Sequence, residues 1–267
     1  MKGSSETHPV LSPDDGFAAF ELYDRVMSPE APPSTPSGSH YRDALRTGLE
    51  LAHREGFDPF VLGAIGSSDS HNASSSVEEA NHHGKLPMID GSAGLRLGVS
   101  QLSFMPKLAG TWSAAGLAAV WAEENTRASI FAAMRRRETY ATSGPRIALR
   151  FFGGWDYPTD LLGRRDWLDE AYRGGVPMGG TLEPRGKGAS PVFAVFAAKD
   201  PLGANLDRVQ IVKLFLDEAG ASHERVYDVA ASEDRLARAV GGALEPVGST
   251  VDVARAAYEN SIGAREL

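Results

Sequence analysis

Apolar and polar positions repeat with two different periods along this chain, and the period changes near residue 145. Before that point the spacing is mostly helical. Leu45, Leu49 and Ala52 recur at i, i+4, i+7 and predict a helix over 41–55, with Gly56 as its stop. Ile130, Phe131 and Met134 predict a second helix, opened by an N-cap at Thr126 and running through Arg137, with those three on its buried side. Phe17, Phe20, Leu22 and Tyr23 predict a helix over 15–27 on looser spacing. Residues 28–39 hold four prolines, which forbid a helix and predict an ordered loop or lid. The apolar run from Phe60 to Ile65, ended by Gly66-Ser67-Ser68, predicts a buried parallel strand. Leu117 to Trp121 predicts another strand. From Asn72 to Gly116 the pattern is weak and predicts a long loop over a pocket.

After Ser143-Gly144-Pro145 the period shortens to two. Ile147, Leu149 and Phe151 alternate with Arg146, Ala148 and Arg150, as in a half-buried strand. Pro191 to Ala198 and Arg208 to Leu216 predict further strands, and Glu224 to Val229 is expected to pair with the latter. Asp200-Pro201-Leu202-Gly203 and Met178-Gly179-Gly180 read as turns. The predicted class is therefore α/β, with an α/β region over 1–145 and a β-rich accessory region over 146–267. No internal repeat is visible.

With 42% hydrophobic residues in 267, the chain can build a core, which excludes disorder throughout. A net charge of −8 argues against a nucleic-acid partner. The absence of cysteine excludes disulfides, thiolate metal sites and a cysteine nucleophile. No apolar stretch approaches the ~20 residues that cross a bilayer, so no membrane partner is expected. No signal peptide follows Met1, and the localisation stays open. Both ends look cut: Glu6 has little strand before it, and the last seven residues read like the middle of a domain.

Two acidic-x-histidine pairs carry the candidate chemistry, Glu6-Thr7-His8 and Asp69-Ser70-His71. On an extended segment such residues point to one side. Where a buried strand ends they face a pocket mouth. Carboxylate oxygen with imidazole nitrogen suits Zn, Mn or Fe. The plainer reading stands beside this one: Asp69 caps a following helix, His71 is exposed, and Glu6 and His8 lie on the surface. Other polar groups read structurally. His82-His83 is poor ligand geometry, since neighbouring side chains diverge. Glu123-Glu124 and Arg135-Arg136-Arg137 complement the ends of the helix at Thr126, with phosphate binding as the alternative for the arginines. Ser67, Ser68 and Ser70 lack a nucleophile-elbow pattern.

Five segments have a further significance: 2–9, Ile65-Gly66-Ser67-Ser68-Asp69-Ser70-His71, Trp121-Ala122-Glu123-Glu124-Asn125-Thr126, Glu138 to Pro145, and Phe151-Phe152-Gly153-Gly154-Trp155-Asp156. Together, in unbroken order, they resemble the bacterial family filed as domain of unknown function 3604. That family is similar to the polymerase-and-histidinol-phosphatase (PHP) metallohydrolases, which are distorted (β/α)₇ barrels holding two or three metals. The resemblance implies that Asp69 and His71 match the late Asp-x-His of the ligand set, that Glu6 matches its middle Glu, and that His8 is a further ligand. The early His-x-His and Asp-His have no counterpart and would lie upstream of Met1. The resemblance therefore implies the C-terminal part of a PHP-like barrel, with an open sheet edge prone to self-association. His40 and the stretch Asn81-His82-His83-Gly84-Lys85 depart from the family pattern and are not added to the site.

The implied function of the intact protein is metal-assisted hydrolysis of a phosphate or related ester, a small anionic substrate, by two or three divalent ions. The alternative is a truncated, non-catalytic structural or interaction module that holds no metal. A binding role toward anionic sugars or lipids rests only on the β-rich tail.

Overall fold

A computed structural model describes residues 6–20, 22, 35–68, 70, 94, 116–186, 188–238 and 244–267. Helices and sheets are mixed along the chain. The elements are α1 (Tyr41–Glu55), β1 (Leu117–Val120), α2 (Arg127–Arg135), β2 (Thr139–Thr142), β3 (Ala148–Gly154), α3 (Trp167–Gly174), β4 (Gly175–Pro177), β5 (Val192–Ala198), β6 (Arg208–Leu216), β7 (Ser222–Ala231) and α4 (Arg235–Arg238). Short 3₁₀ turns span Leu161–Gly163 and Ser232–Asp234.

α1 has the predicted bounds. Gly56 ends it at φ 81°, where a side chain would be strained, and its N–H returns to the Ala52 carbonyl. Leu45 and Leu49 are half-buried, whereas the fully buried members of the helix include Arg42 and Asp43. Gly48 lets the following turn approach: a Cβ there would run into the Asp58 carboxylate.

α2 starts as predicted, with the Thr126 hydroxyl accepting from the Ser129 N–H. Its packing differs from the prediction. Ala133 is the buried residue, Ile130 is half-buried, and Phe131 and Met134 are exposed. The helix also stops at Arg135, before the predicted Arg137. Arg137 adopts φ 62°, its N–H reaches the Met134 carbonyl, and the Glu138 N–H reaches Ala133, which is a Schellman ending with arginine in the left-handed position.

Among the described residues two predicted elements do not form, and residues 21 and 23–27 of the predicted helix over 15–27 lie outside the described residues. Residues 15–20 form turns, because Asp15 accepts the Phe17 N–H and tightens the chain locally. Residues 60–65 make no ladder, and Val61, Leu62 and Ile65 are exposed. Side chains satisfy the carbonyls here: Arg137 Nη1 lies 3.0 Å from the Val61 oxygen, and the Tyr41 hydroxyl 3.3 Å from that of Leu62. Glycines explain the irregularity. A Cβ on Gly63 would sit 3.0 Å from Thr139 Oγ1, and one on Gly66 2.8 Å from the Thr142 carbonyl, so the run passes close along β2 from one end to the other.

Among the described residues every named sheet is antiparallel, in the orders β1-β2, β4-β3-β5 and β6-β7, and no barrel closes. β6 and β7 pair from Arg208↔Ala231 to Leu216↔Ser222, as the sequence predicted. The core lies between the central sheet and α3, where Phe152, Tyr157, Leu161, Ala171 and Ala194 are buried together against Trp167 and Leu168. The last residues extend that sheet. Ala197 and Leu267 exchange both backbone hydrogen bonds, and the Lys199 N–H reaches the Arg265 carbonyl. Contacts cross residue 145, since Trp121 Nε1 donates to the Leu149 carbonyl at 2.8 Å and Arg150 stacks over the Trp121 ring. Among the described residues no helix is long and apolar enough to cross a membrane.

Candidate functional site

Glu6 lies where the start of the described chain meets α1 and the β6–β7 hairpin. The junction is held by Arg42, at the first turn of α1. Its Nε lies 2.9 Å from Glu6 Oε1, its Nη1 2.8 Å from Asp15 Oδ2 and 3.4 Å from Glu224 Oε1. The Arg42 N–H also donates to the Glu6 carbonyl, supplying one of the partners that a helix start leaves open. Burial pulls the guanidinium down, but Glu6 and Asp15 outweigh it and hold Arg42 above its ordinary value.

A cleft of about 420 Å³ opens beside this junction. Glu6, Asp15 and Asp207 supply carboxylates to its wall, and Arg42 and Arg208 supply guanidiniums. Both arginines are already engaged: Arg208 approaches Asp207 and Asp228, each at 3.4 Å, and donates to the Glu245 carbonyl at 3.1 Å. The wall therefore carries an excess of negative charge, and a naked anion would be repelled there. Glu6 is the accessible carboxylate, with its side chain 61% exposed.

His8 stands apart from Glu6. Its Nδ1 accepts the Val10 N–H at 3.1 Å, so the proton of the neutral ring sits on Nε2. That tautomer does not suit a metal ligand, whose second nitrogen normally donates. His40 has the opposite arrangement. It is buried, its Nδ1 donates to the Pro36 carbonyl at 3.1 Å, and its ring centre lies 5.6 Å from that of His8. Asp69 and His71 lie outside the described residues, as do His82 and His83. Among the described residues no three His, Asp or Glu side chains converge on a point that a metal could occupy. The described residues do not by themselves complete the ligand set.

Arg42, Asp15, Asp207 and Arg208 were not singled out from the sequence. Each sits in a segment with ordinary local composition, and only the packing of α1 on the distant hairpin assembles them. In the arginine run at the end of α2, Arg135 and Arg136 are exposed, with Arg136 pairing with Glu138 at 3.3 Å, and half-buried Arg137 donates to the Val61 and Gly179 carbonyls. Buried Glu138 also accepts the Tyr172 hydroxyl, and Arg150 Nη1 stands 4.0 Å away. Burial and then Glu138 push the Tyr172 hydroxyl up.

No curated protein and no solved structure matches the chain. The model of one protein family matches residues 1–267, the whole sequence. That family is described as "Protein of unknown function (DUF3604)", and the chain belongs to it.

Proposed function

We propose that the intact protein is a metal-dependent hydrolase acting on a phosphate or related ester. In this reading, residues 1–145 are the C-terminal part of a PHP-like barrel, 146–267 form an accessory region, and Glu6, Asp69 and His71 contribute ligands; His8 would join them only by giving up the bond it accepts from the Val10 N–H. The observation that supports it is the setting of Glu6. This carboxylate is exposed on the cleft wall, and a buried arginine fixes its Oε1. An outer partner that orients a carboxylate is a common feature of metal sites. The negative excess of the wall favours a cation, and a bound cation would make the cleft receptive to an anionic ester. Divalent ions (Zn, Mn or Fe), when bound, would activate water and stabilise the leaving oxygen.

The test is metal content by mass spectrometry on the purified chain, beside Glu6→Gln and the double variant Asp69→Ala, His71→Ala. Near-stoichiometric metal that falls in both variants supports the reading, and a phosphoesterase screen follows. Absence of metal from the parent chain would overturn it for this chain.

The second reading is a non-catalytic module, with no complete metal site. It draws on the Arg42 clamp, which gives Glu6 a structural partner. The same measurement separates the two.

A further inference from the structure

The cleft beside Arg42 displays two aromatic side chains that its ion pairs do not explain. The Asp15 carbonyl accepts the Ala18 N–H and the Phe17 carbonyl accepts that of Phe20, so residues 15–20 wind through two i to i+3 turns. Side chains three positions apart then fall on one side. Phe17 and Phe20 both line the cleft, while Ala18 between them is buried and seats the turn. The two phenylalanines are 50% and 49% exposed, so neither belongs to the core. Aromatic rings that face a concave site beside a few polar groups are the usual lining of a small-molecule pocket.

The wall already holds a cation over one of these rings. The Arg208 guanidinium stands 5.3 Å from the centre of Phe17. Among the described residues no ring or cation lies over Phe20. Two carboxylates of the wall likewise keep an oxygen open. Arg42 engages Glu6 through Oε1, and Arg208 and Arg235 engage Asp207 through Oδ1. Glu6 Oε2 and Asp207 Oδ2 have no partner among the described residues. The groups behind the wall do not neutralise it, since Glu224 and Asp228 outnumber Arg235.

We propose that this cleft binds an organic cation, a primary ammonium carried on an apolar body. The ammonium donates to Glu6 Oε2 and Asp207 Oδ2, and the body lies against Phe17 and Phe20. Each part of such a ligand meets a group that lacks a partner. The ring quadrupole of Phe20 attracts a nearby cation. The open oxygens accept its hydrogen bonds, which are strong because both sides are charged. The apolar body takes the exposed ring surface out of water. Other ligand classes meet only part of this wall. An inorganic cation gains nothing from the ring surfaces, a neutral aryl compound leaves the carboxylates unused, and an aryl anion is repelled. The volume, about 420 Å³, lies in the range of small-molecule pockets, roughly 300–1,000 Å³. None of these contacts needs a metal, so the inference stands apart from the hydrolase reading and shares only Glu6 with it.

Calorimetric titration of the full chain with 2-phenylethylammonium, carried into the millimolar range in EDTA at low ionic strength, tests the proposal. Neutral 2-phenylethanol and anionic phenylacetate have nearly the same shape and serve as comparators. Saturable one-to-one binding is expected for the amine, about ten-fold weaker binding for the alcohol, and none for phenylacetate. Phe20→Ala and Glu6→Gln should each weaken amine binding about five-fold. Both side chains are exposed, so native far-UV circular dichroism is expected of both variants. Absence of saturable binding to the parent chain overturns the proposal. So does equal affinity for the amine and the alcohol, which would leave the carboxylates without a role. Amine binding that neither variant weakens also overturns it, by placing the ligand elsewhere. EDTA keeps metal out of the titration, so a failure here leaves the hydrolase reading standing, and a metal-free chain leaves this proposal standing.

Discussion

Arg42 Nη1 lies 2.8 Å from Asp15 Oδ2, with the two side chains only 10% and 3% exposed. A buried ion pair of this kind adds little compared with apolar packing, but losing one partner is costly, because the other charge stays behind. Asp15→Ala should therefore lower stability by about 2–4 kcal/mol, somewhat less than for an isolated pair because Glu6 and Glu224 still face the guanidinium. Urea denaturation measures it. A loss below about 1 kcal/mol would show that the remaining carboxylates suffice.

Arg137 combines an unfavourable backbone with favourable bonds. Its left-handed φ of 62° costs about 1–2 kcal/mol for a residue with a Cβ, while its guanidinium holds two carbonyls, each at 3.0 Å. Alanine keeps the strain and loses the bonds. Glycine loses the bonds and the strain together. The expected order of thermal midpoints is Arg137, then Arg137→Gly, then Arg137→Ala, with the alanine variant about 1–3 kcal/mol below the parent. An alanine variant as stable as the glycine one contradicts the assignment of strain.

Gly154 lies under the Tyr157 ring. A Cβ there would sit 2.7 Å from two ring carbons and 2.9 Å from the Gly174 carbonyl, against a side chain whose hydroxyl is bonded to Ala171. Gly154→Ala should cost about 1–3 kcal/mol through overpacking. Gly163, with open space where its Cβ would be, is the control, and Gly163→Ala should change stability by less than about 0.5 kcal/mol. Equal effects at the two sites would refute the packing argument.

Asp200 links stability to pH. The Arg146 N–H at 2.7 Å and the Leu202 N–H at 2.9 Å bond to its carboxylate and hold it below the usual carboxylate range. A carboxylate depressed in the folded state contributes stability that is present above its unfolded value, about pH 4, and is lost as pH falls through the lower folded value. Asp200→Asn cannot take part in that loss. Denaturation midpoints compared between neutral pH and pH 3 should fall less steeply in the variant than in the parent. A parallel decline in both proteins would mean that this turn does not contribute to acid sensitivity.

Several elements were legible because a local rule decides them. Gly56 stops α1, Thr126 opens α2, and the apolar run of Arg208–Leu216, apolar on both faces, gives β6 its bounds. The expectation failed where distant contacts override the local pattern. The Phe60–Ile65 run has strand composition and passes close to β2, yet side chains take its carbonyls, Tyr41 from α1 and Arg137 from just beyond α2. Phe131 and Met134 have helical spacing, but small Ala133 takes the contact face. α3 escaped notice because it is short, although Trp167, Leu168 and Ala171 now mark its buried side. For the site, Glu6 was legible through its family motif. Arg42 and Asp207 were not, since nothing near either in sequence announces their meeting across the cleft.

The Arg42–Glu224 contact joins residues 182 positions apart, and α1 lies against β6 and β7. A ribosome finishes α1 long before it makes that hairpin. During the interval the helix has no partner for its inner face, and its guanidinium faces water with only Glu6 and Asp15 for company. Nonlocal closures of this kind slow folding, because chain entropy is lost before the contact forms. The charge cluster at the first turn of α1 must therefore wait for the hairpin that completes it.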